Sequence, residues 1–182
     1  VAEYSDPNPF KILHAGHLYS SVVGDVISNL YENAGAKVYR VNFGGDIGLH
    51  TARTIYSILL EFGGVNPHKL SSVDDTKRNE WLAKHYINGN NLYEEDESAR
   101  TKIKEINKNL YEISKKKDKD SPLAQIYWQT RDWSYDYFKD FYKRIGLHFD
   151  KYYPESETTD LGLILVKAGL KTGVFKESEG AI

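Results

Sequence analysis

The chain reads as an α/β protein built on a parallel sheet, and three features of its 182 residues lead there. A strand-like segment, Val1 to Tyr4, runs into Asp6-Pro7-Asn8-Pro9, which neither a strand nor a helix can continue. An amphipathic helix follows: Leu18, Val22, Val26, Leu30 and Ala34 recur every four residues, Val23 and Ile27 widen the stripe, and Gly35 supplies a stop. Lys37 to Asn42 is then β-branched and aromatic, as a second strand requires. Strand, helix and strand make a right-handed parallel crossover. In such sheets ligands bind beyond the C-terminal ends of the strands, where Asp6 to His17 and Asn42 to Gly48 both fall.

The remaining elements follow in order. Leu49 to Phe62 reads as a helix closed by Gly63-Gly64, and from Val65 to Ile145 the chain turns polar, charged and helical. Asp74-Asp75-Thr76 offers a cap before Trp81-Leu82, and Asn88-Gly89-Asn90-Asn91 reads as a turn. Glu94 to Lys115 follows as a long helix with one stripe, Ile103, Ile106, Leu110 and Ile113, an acidic start and a basic end. Ser121-Pro122 opens the next helix, lined by Leu123, Ile126, Trp133, Tyr137, Phe141 and Ile145 and stopped by Gly146. The expected arrangement for these two is an antiparallel pair. Leu147 to Tyr153 reads as a strand, Thr158 to Ala168 as a helix capped by Thr158 or Thr159, and Gly173 to Ile182 as a hairpin whose second strand is barely begun.

Composition narrows the class. Forty per cent hydrophobic and 13% aromatic residues suffice for a core. No apolar run approaches membrane-spanning length and no secretory signal pattern opens the chain, so no membrane partner is expected. The absence of cysteine fits a reducing cytoplasm. A net charge of −2 announces no global basic field, so any RNA contact must be local. With no methionine at all, and with both ends lying inside structural elements, the sequence reads as a piece of a longer protein.

The chemistry concentrates in Pro7 to His17. His14 and His17 sit at a helix start, where free backbone N–H groups and the positive dipole end favour an anion. Gly16 lets a flat or charged group approach the backbone, and Lys11 adds a cation. Together they read as a nest for phosphate oxygens, with imidazoles able to donate hydrogen bonds to charge developing on phosphorus. His-x-x-His on a helix also suits two zinc ligands, but zinc needs a third ligand and the chain has no cysteine, so no metal site is assigned.

Glu3-Tyr4-Ser5-Asp6-Pro7-Asn8-Pro9-x-Lys11-x-Leu13-His14-Ala15-Gly16-His17-Leu18, followed by Gly24-Asp25, resembles the signature region of class I arginyl-tRNA synthetases. Arg40-Val41-Asn42-Phe43-Gly44-Gly45-Asp46-Ile47-Gly48 resembles the second-strand segment of the same family. Asp6, Tyr19, Phe43 and Ile47 depart from the residues usual there, which are serine, arginine, histidine and tryptophan. The resemblance implies the first half of a Rossmann-like nucleotide-binding catalytic fold over residues 1–64. It also implies a mostly helical connective insertion over 65–182, with the helical pair at 94–145 and a strand, helix and hairpin at 147–182. It implies ATP, with Mg2+, as the activating substrate, and L-arginine and tRNA(Arg) as partners of a monomeric parent. On this basis His14 and His17 are the catalytic residues; Lys11, His14, Gly16 and His17 hold ATP; and Glu3, Asp6, Asn8 and His17 read arginine, a carboxylate suiting the planar guanidinium fork. The isolated piece, lacking half the sheet and a Lys-Met-Ser-Lys-like loop, is expected to turn over little or nothing.

Lys115-Lys116-Lys117-Asp118-Lys119 suits either a tRNA backbone contact or a solvated loop complementing a helix C-terminus. Tyr127, Trp128, Trp133 and Tyr135 suit base stacking or the core. Two other classes compete with the ligase: a small nucleotidyltransferase with the same His-x-Gly-His logic, and a non-catalytic helical RNA- or protein-binding module.

Overall fold

A computed structural model describes residues 1–178. Its centre is a three-stranded parallel sheet in the order β1 (Ala2–Glu3), β2 (Arg40–Gly44), β3 (Lys151–Pro154). Ala2 faces Arg40 across the first pair, and Val41 to Gly44 face Lys151 to Pro154 across the second. Helix α1 (Ala15–Asn33) links β1 to β2; α2 (Leu49–Phe62), α3 (Arg78–Glu95), α4 (Glu97–Lys116) and α5 (Pro122–Arg144) lie between β2 and β3; α6 (Glu155–Thr172) follows. Two short 3-10 turns, Pro67–Ser72 and Asp75–Lys77, lead into α3. Among the described residues no helix is long and apolar enough to cross a membrane.

The strand expected at 147–153 forms over Lys151–Pro154 and supplies the third strand of the same sheet, a segment that the family resemblance implied to belong to the insertion. β1 is shorter than expected and not buried: Glu3 is exposed, while the adjoining Tyr4 is covered. Tyr4 lies against Gly24, where any side chain would collide with its ring. Arg40, also buried, reaches from β2 to Glu32 at 2.7 Å and to Asp25 at 3.6 Å on α1. These contacts bind α1 to one face of the sheet.

The stripe that predicts α1 is where the chain departs most from expectation. Leu18, Val22, Val23, Val26, Ile27 and Leu30 are 37–62% exposed, and the buried positions are Ser21 and Ser28. Periodicity reports that a helix has an apolar face; it does not say that the same 182 residues cover it. Here β1 and Arg40 take the polar side, and no described element lies over the other.

The main core is instead helical. Ile55, Ile58, Leu82, Ile103, Leu110, Ile126 and Tyr127 meet there. Three boundaries move. Asn88 to Asn91 is the interior of α3 rather than a turn, because Gly89 allows the backbone of α3 to touch the carbonyl of Arg53 on α2. The long helix begins at Glu97, since Asp96 caps it by accepting from Ser98 and Ala99 N–H at 2.8 and 3.1 Å. α6 starts three residues early, at Glu155, with no cap from Thr158 or Thr159. α4 lies on α2 and α3 and meets α5 only briefly, so the expected antiparallel pair gives way to a bundle. On α5 the buried line runs through Tyr127, Thr130, Phe138 and Tyr142, while Leu123, Tyr137, Phe141 and Ile145 are only partly covered. The terminal hairpin lies in part outside the described residues; within them, Gly173 ends α6 in the left-handed region.

Replacing Gly89 by Ala should destabilise the chain by about 1–3 kcal/mol, because the added methyl forces α2 and α3 apart. Urea unfolding followed by circular dichroism checks this, with Gly162→Ala, which meets open space, as the comparison expected to be neutral or stabilising.

Candidate functional site

The residues after β1 hold an unusual backbone. Ser5, Asp6 and Phe10 have φ of 75°, 44° and 72°, a region that costs a residue with a side chain about 1–3 kcal/mol. Each is pinned from outside. Ser5 Oγ shares a 2.7 Å hydrogen bond with Tyr142 Oη and accepts from Ser21 Oγ at 2.8 Å. One carboxylate oxygen of Asp6 accepts the Phe43 N–H at 2.7 Å, and burial pushes this acid above the usual carboxylate range. The Phe10 ring is sunk in the helical core, and its N–H donates to Ser134 Oγ at 2.9 Å. Helix α5 and strand β2 therefore fix where the loop goes, and the loop leads into the beginning of α1.

At that beginning the two histidines cap the helix reciprocally. His14 Nδ1 accepts the Gly16 N–H at 3.1 Å, and His17 Nδ1 accepts the His14 N–H at 3.2 Å. Two acceptor bonds to Nδ1 fix both neutral rings with the proton on Nε2. The ring centroids are 4.0 Å apart, His14 is exposed and His17 partly so. Burial, then His14 and Lys11, hold His17 below the ordinary imidazole range, so it is a neutral donor at pH 7. Gly16 serves this geometry directly, since a side chain there would press on the His14 ring at 2.9 Å. The ammonium of Lys11 stands 4.9 Å from the Tyr86 ring on α3. Although burial opposes it, Lys11 and Asn90 draw that phenol below its ordinary value.

The second motif meets the first through Asn8. A side chain on Gly45 would lie 2.5 Å from Asn8 Oδ1 and 3.5 Å from Glu155 Oε2, so glycine is what lets loop and strand end touch. Asp46, fully buried, accepts from Arg131 Nε at 2.5 Å, from the Ser156 N–H at 2.8 Å and from Ser156 Oγ at 2.6 Å. It thereby ties β2 to α5 and satisfies an open N–H at the start of α6. His50 bonds the Gly45 carbonyl at 2.7 Å and, being largely buried, is held below the ordinary imidazole range.

The expected site residues thus fall into three groups. Lys11, His14, Gly16 and His17 form one cluster, and Asp6 and Asn8 join the end of β2. Glu3 stands on the sheet face opposite Tyr4, in an open concavity of about 370 Å³ with Val41, Phe43, Tyr153 and Thr158. His14 and His17 do not line that concavity. Sequence reasoning missed His50, Tyr86 and Glu155, the last held above the usual carboxylate range by burial and by Asp46. The spacing of His50 after Gly48 was visible; nothing local marks Tyr86 or Glu155, which arrive from distant elements. Among the described residues no three histidine, aspartate or glutamate side chains converge to hold a metal ion.

The model of the family described as tRNA synthetases class I (R), catalytic domain, matches residues 1–182. The chain belongs to this family. It is 28% identical over its full length to an arginine–tRNA ligase of Borreliella afzelii and 30% identical over its full length to one of Bdellovibrio bacteriovorus. It spans about 30% of the length of each of these relatives. Arginyl-tRNA synthetase from Plasmodium falciparum, 20% identical, superposes with a TM-score of 0.68 over 97% of this chain and 27% of the other, a likeness of fold. The family's Rossmann-like parallel sheet is the one described above, its third strand reached through the long helical excursion.

Asp46→Ala should cost about 3–5 kcal/mol in urea unfolding by leaving Arg131 buried without its partner, whereas Asp132→Ala on the same helix, exposed, should change stability by no more than about 0.5 kcal/mol. His17, His50 and His85 are all held below the unfolded imidazole value of 6.5, so each binds its proton more readily in the unfolded chain. Their stability is complete above that value and is lost as pH falls through the lower folded values. Urea midpoints should therefore drop between pH 7.5 and 5.5, and drop less in His50→Gln. The raised acids Asp6 and Glu155 act with the opposite sign, at lower pH.

Proposed function

We propose that the longer protein to which this chain corresponds activates L-arginine with ATP and passes the arginyl group to tRNA(Arg). The arginine carboxylate attacks the α-phosphorus in line, pyrophosphate leaves, and a tRNA hydroxyl then takes the arginyl group and releases AMP. Phosphoryl chemistry of this kind rests on positioning and on stabilising charge. The observation that carries the reading is the reciprocal cap at the start of α1: with both Nδ1 atoms accepting backbone N–H groups, His14 and His17 offer Nε2–H donors beside the positive end of a 19-residue helix.

In this reading His14 and His17 are the catalytic pair, donating to phosphate oxygens as charge builds on them. Lys11 adds a point charge, and Gly16 keeps the ring of His14 in place while leaving the backbone open to the nucleotide. Asn8, held against Gly45, lines the amino-acid pocket with His17, and Asp6 fixes its wall through Phe43. Glu3, exposed on the open sheet face, reads the guanidinium. No protein ligand is assigned to Mg2+, which would arrive on the triphosphate, held by phosphate oxygens and water. The bare stripe of α1 suits contact with the rest of the longer protein. We place that protein, as a monomer, in the cytoplasm, in keeping with a chain that contains no cysteine.

In the full-length protein, His17→Ala should slow arginine-dependent ATP–pyrophosphate exchange by about 10²–10³, the cost typical of one lost transition-state donor. Unchanged exchange would remove the phosphate role. Glu3→Gln in the same protein should raise KM for arginine far more than KM for ATP, and equal effects on the two would dismiss Glu3 as the guanidinium reader.

A further inference from the structure

A second concentration of positive charge lies away from the histidine loop, where α4 ends, α5 begins and α6 starts. A cavity of about 520 Å³ there is lined by Lys115, Lys117, Lys119 and Arg131, with Trp128 as a wall and Glu157 and Asp160 as its acids. The wall is rigid: the Trp128 indole N–H donates to the Asp118 carbonyl at 2.6 Å, and Asp118 in turn accepts from the N–H groups of Asp120 and Ser121. The Lys119 ammonium sits 3.3 Å from the centre of the indole and the Arg131 guanidinium 5.0 Å from it. A ring face attracts a cation but occupies none of its N–H donors.

The cations differ in how they are matched. Arg131 is held by the buried Asp46, and Asp132 Oδ1 and Glu157 Oε1 lie 3.3 and 3.8 Å from it. Lys116, pointing elsewhere, pairs with Glu112 at 3.2 Å. Among the described residues Lys115, Lys117 and Lys119 have no carboxylate within 4.0 Å. Lys117 takes the left-handed conformation that ends α4, which turns the chain so that lysines on both sides of the helix end face one cavity. Burial, then the nearby Arg131, hold Lys119 below the ordinary lysine range, against the opposing pull of Asp132, Glu157 and Asp46. A solvated loop would leave its lysines dispersed in water; here they share a walled cavity.

We propose that this cleft binds phosphate groups, taken either from the backbone of an RNA strand or from a free phosphate or pyrophosphate ion. Lysine suits such a ligand as a point charge, and the fixed indole keeps the ammonium of Lys119 in place for it. The site uses no residue of the His14 loop, so it stands or falls apart from the adenylation reading.

The test uses the 182-residue chain and the indole N–H resonances of its three tryptophans. Sodium phosphate, sodium pyrophosphate and a short single-stranded oligoribonucleotide are titrated separately at constant ionic strength. The Trp128 resonance should move saturably while those of Trp81 and Trp133 stay in place. Binding should weaken about tenfold or more in the double variant Lys115→Gln/Lys119→Gln, and strengthen several-fold in Glu157→Gln, which removes an opposing charge. Saturation by the oligoribonucleotide at far lower concentration than by the free ions identifies an RNA backbone as the source. Saturation by phosphate or pyrophosphate alone identifies a small-anion site. Absence of a saturable shift with all three, or shifts that persist unchanged in the double variant, overturns the proposal.

Discussion

One buried carboxylate holds the two parts of this chain together. Asp46 follows the sheet's middle strand, yet its partners come from far away: Arg131 on α5 and Ser156 at the start of α6. Such a group is tolerable in the interior only because a guanidinium, a hydroxyl and a helix N–H all face it at once. Its backbone is used as well, the carbonyl accepting from Tyr127 Oη at 3.3 Å and from Thr51 Oγ1 at 3.2 Å. Remove any of these partners and the others lose the reason for their positions. At this point the long excursion between β2 and β3 is tied back to the end of the middle strand.

The histidine loop depends on the same arrangement at one remove. Three residues in left-handed conformations are an expensive way to make a turn, and they persist because α5 holds Ser5 and Phe10 while β2 holds Asp6. With the turn fixed, the next few residues enter α1 in only one way. The rings then cap the helix with one nitrogen each. Strain, cap and donor geometry are consequences of one set of contacts between the short sheet and the helical bundle.

The apolar face of α1 shows how a correct local reading can mislead about burial. The stripe marks a helix that forms over Ala15–Asn33, but its apolar face looks outward. Gly89 misled in the other direction. Between asparagines it resembles a turn, and only the approach of α2 explains why a glycine sits in mid-helix. For Gly89 the deciding contact comes from another helix, and for α1 it is the lack of any described element over the stripe; no window of neighbouring residues contains either.

Local sequence alone specifies the parallel α/β class, the helix beginning at the histidines and the two glycine-bearing motifs beyond the strand ends. Each of these follows from local steric rules and from the repeat of apolar residues. Tertiary structure alone decided that residues 151–154 join the sheet, that Asn8 meets Gly45, that Asp46 binds Arg131, and that Tyr86 and Glu155 come beside the loop. Those are pairings between positions tens of residues apart. They are selected by how whole elements fit against one another, and neither periodicity nor spacing carries that information.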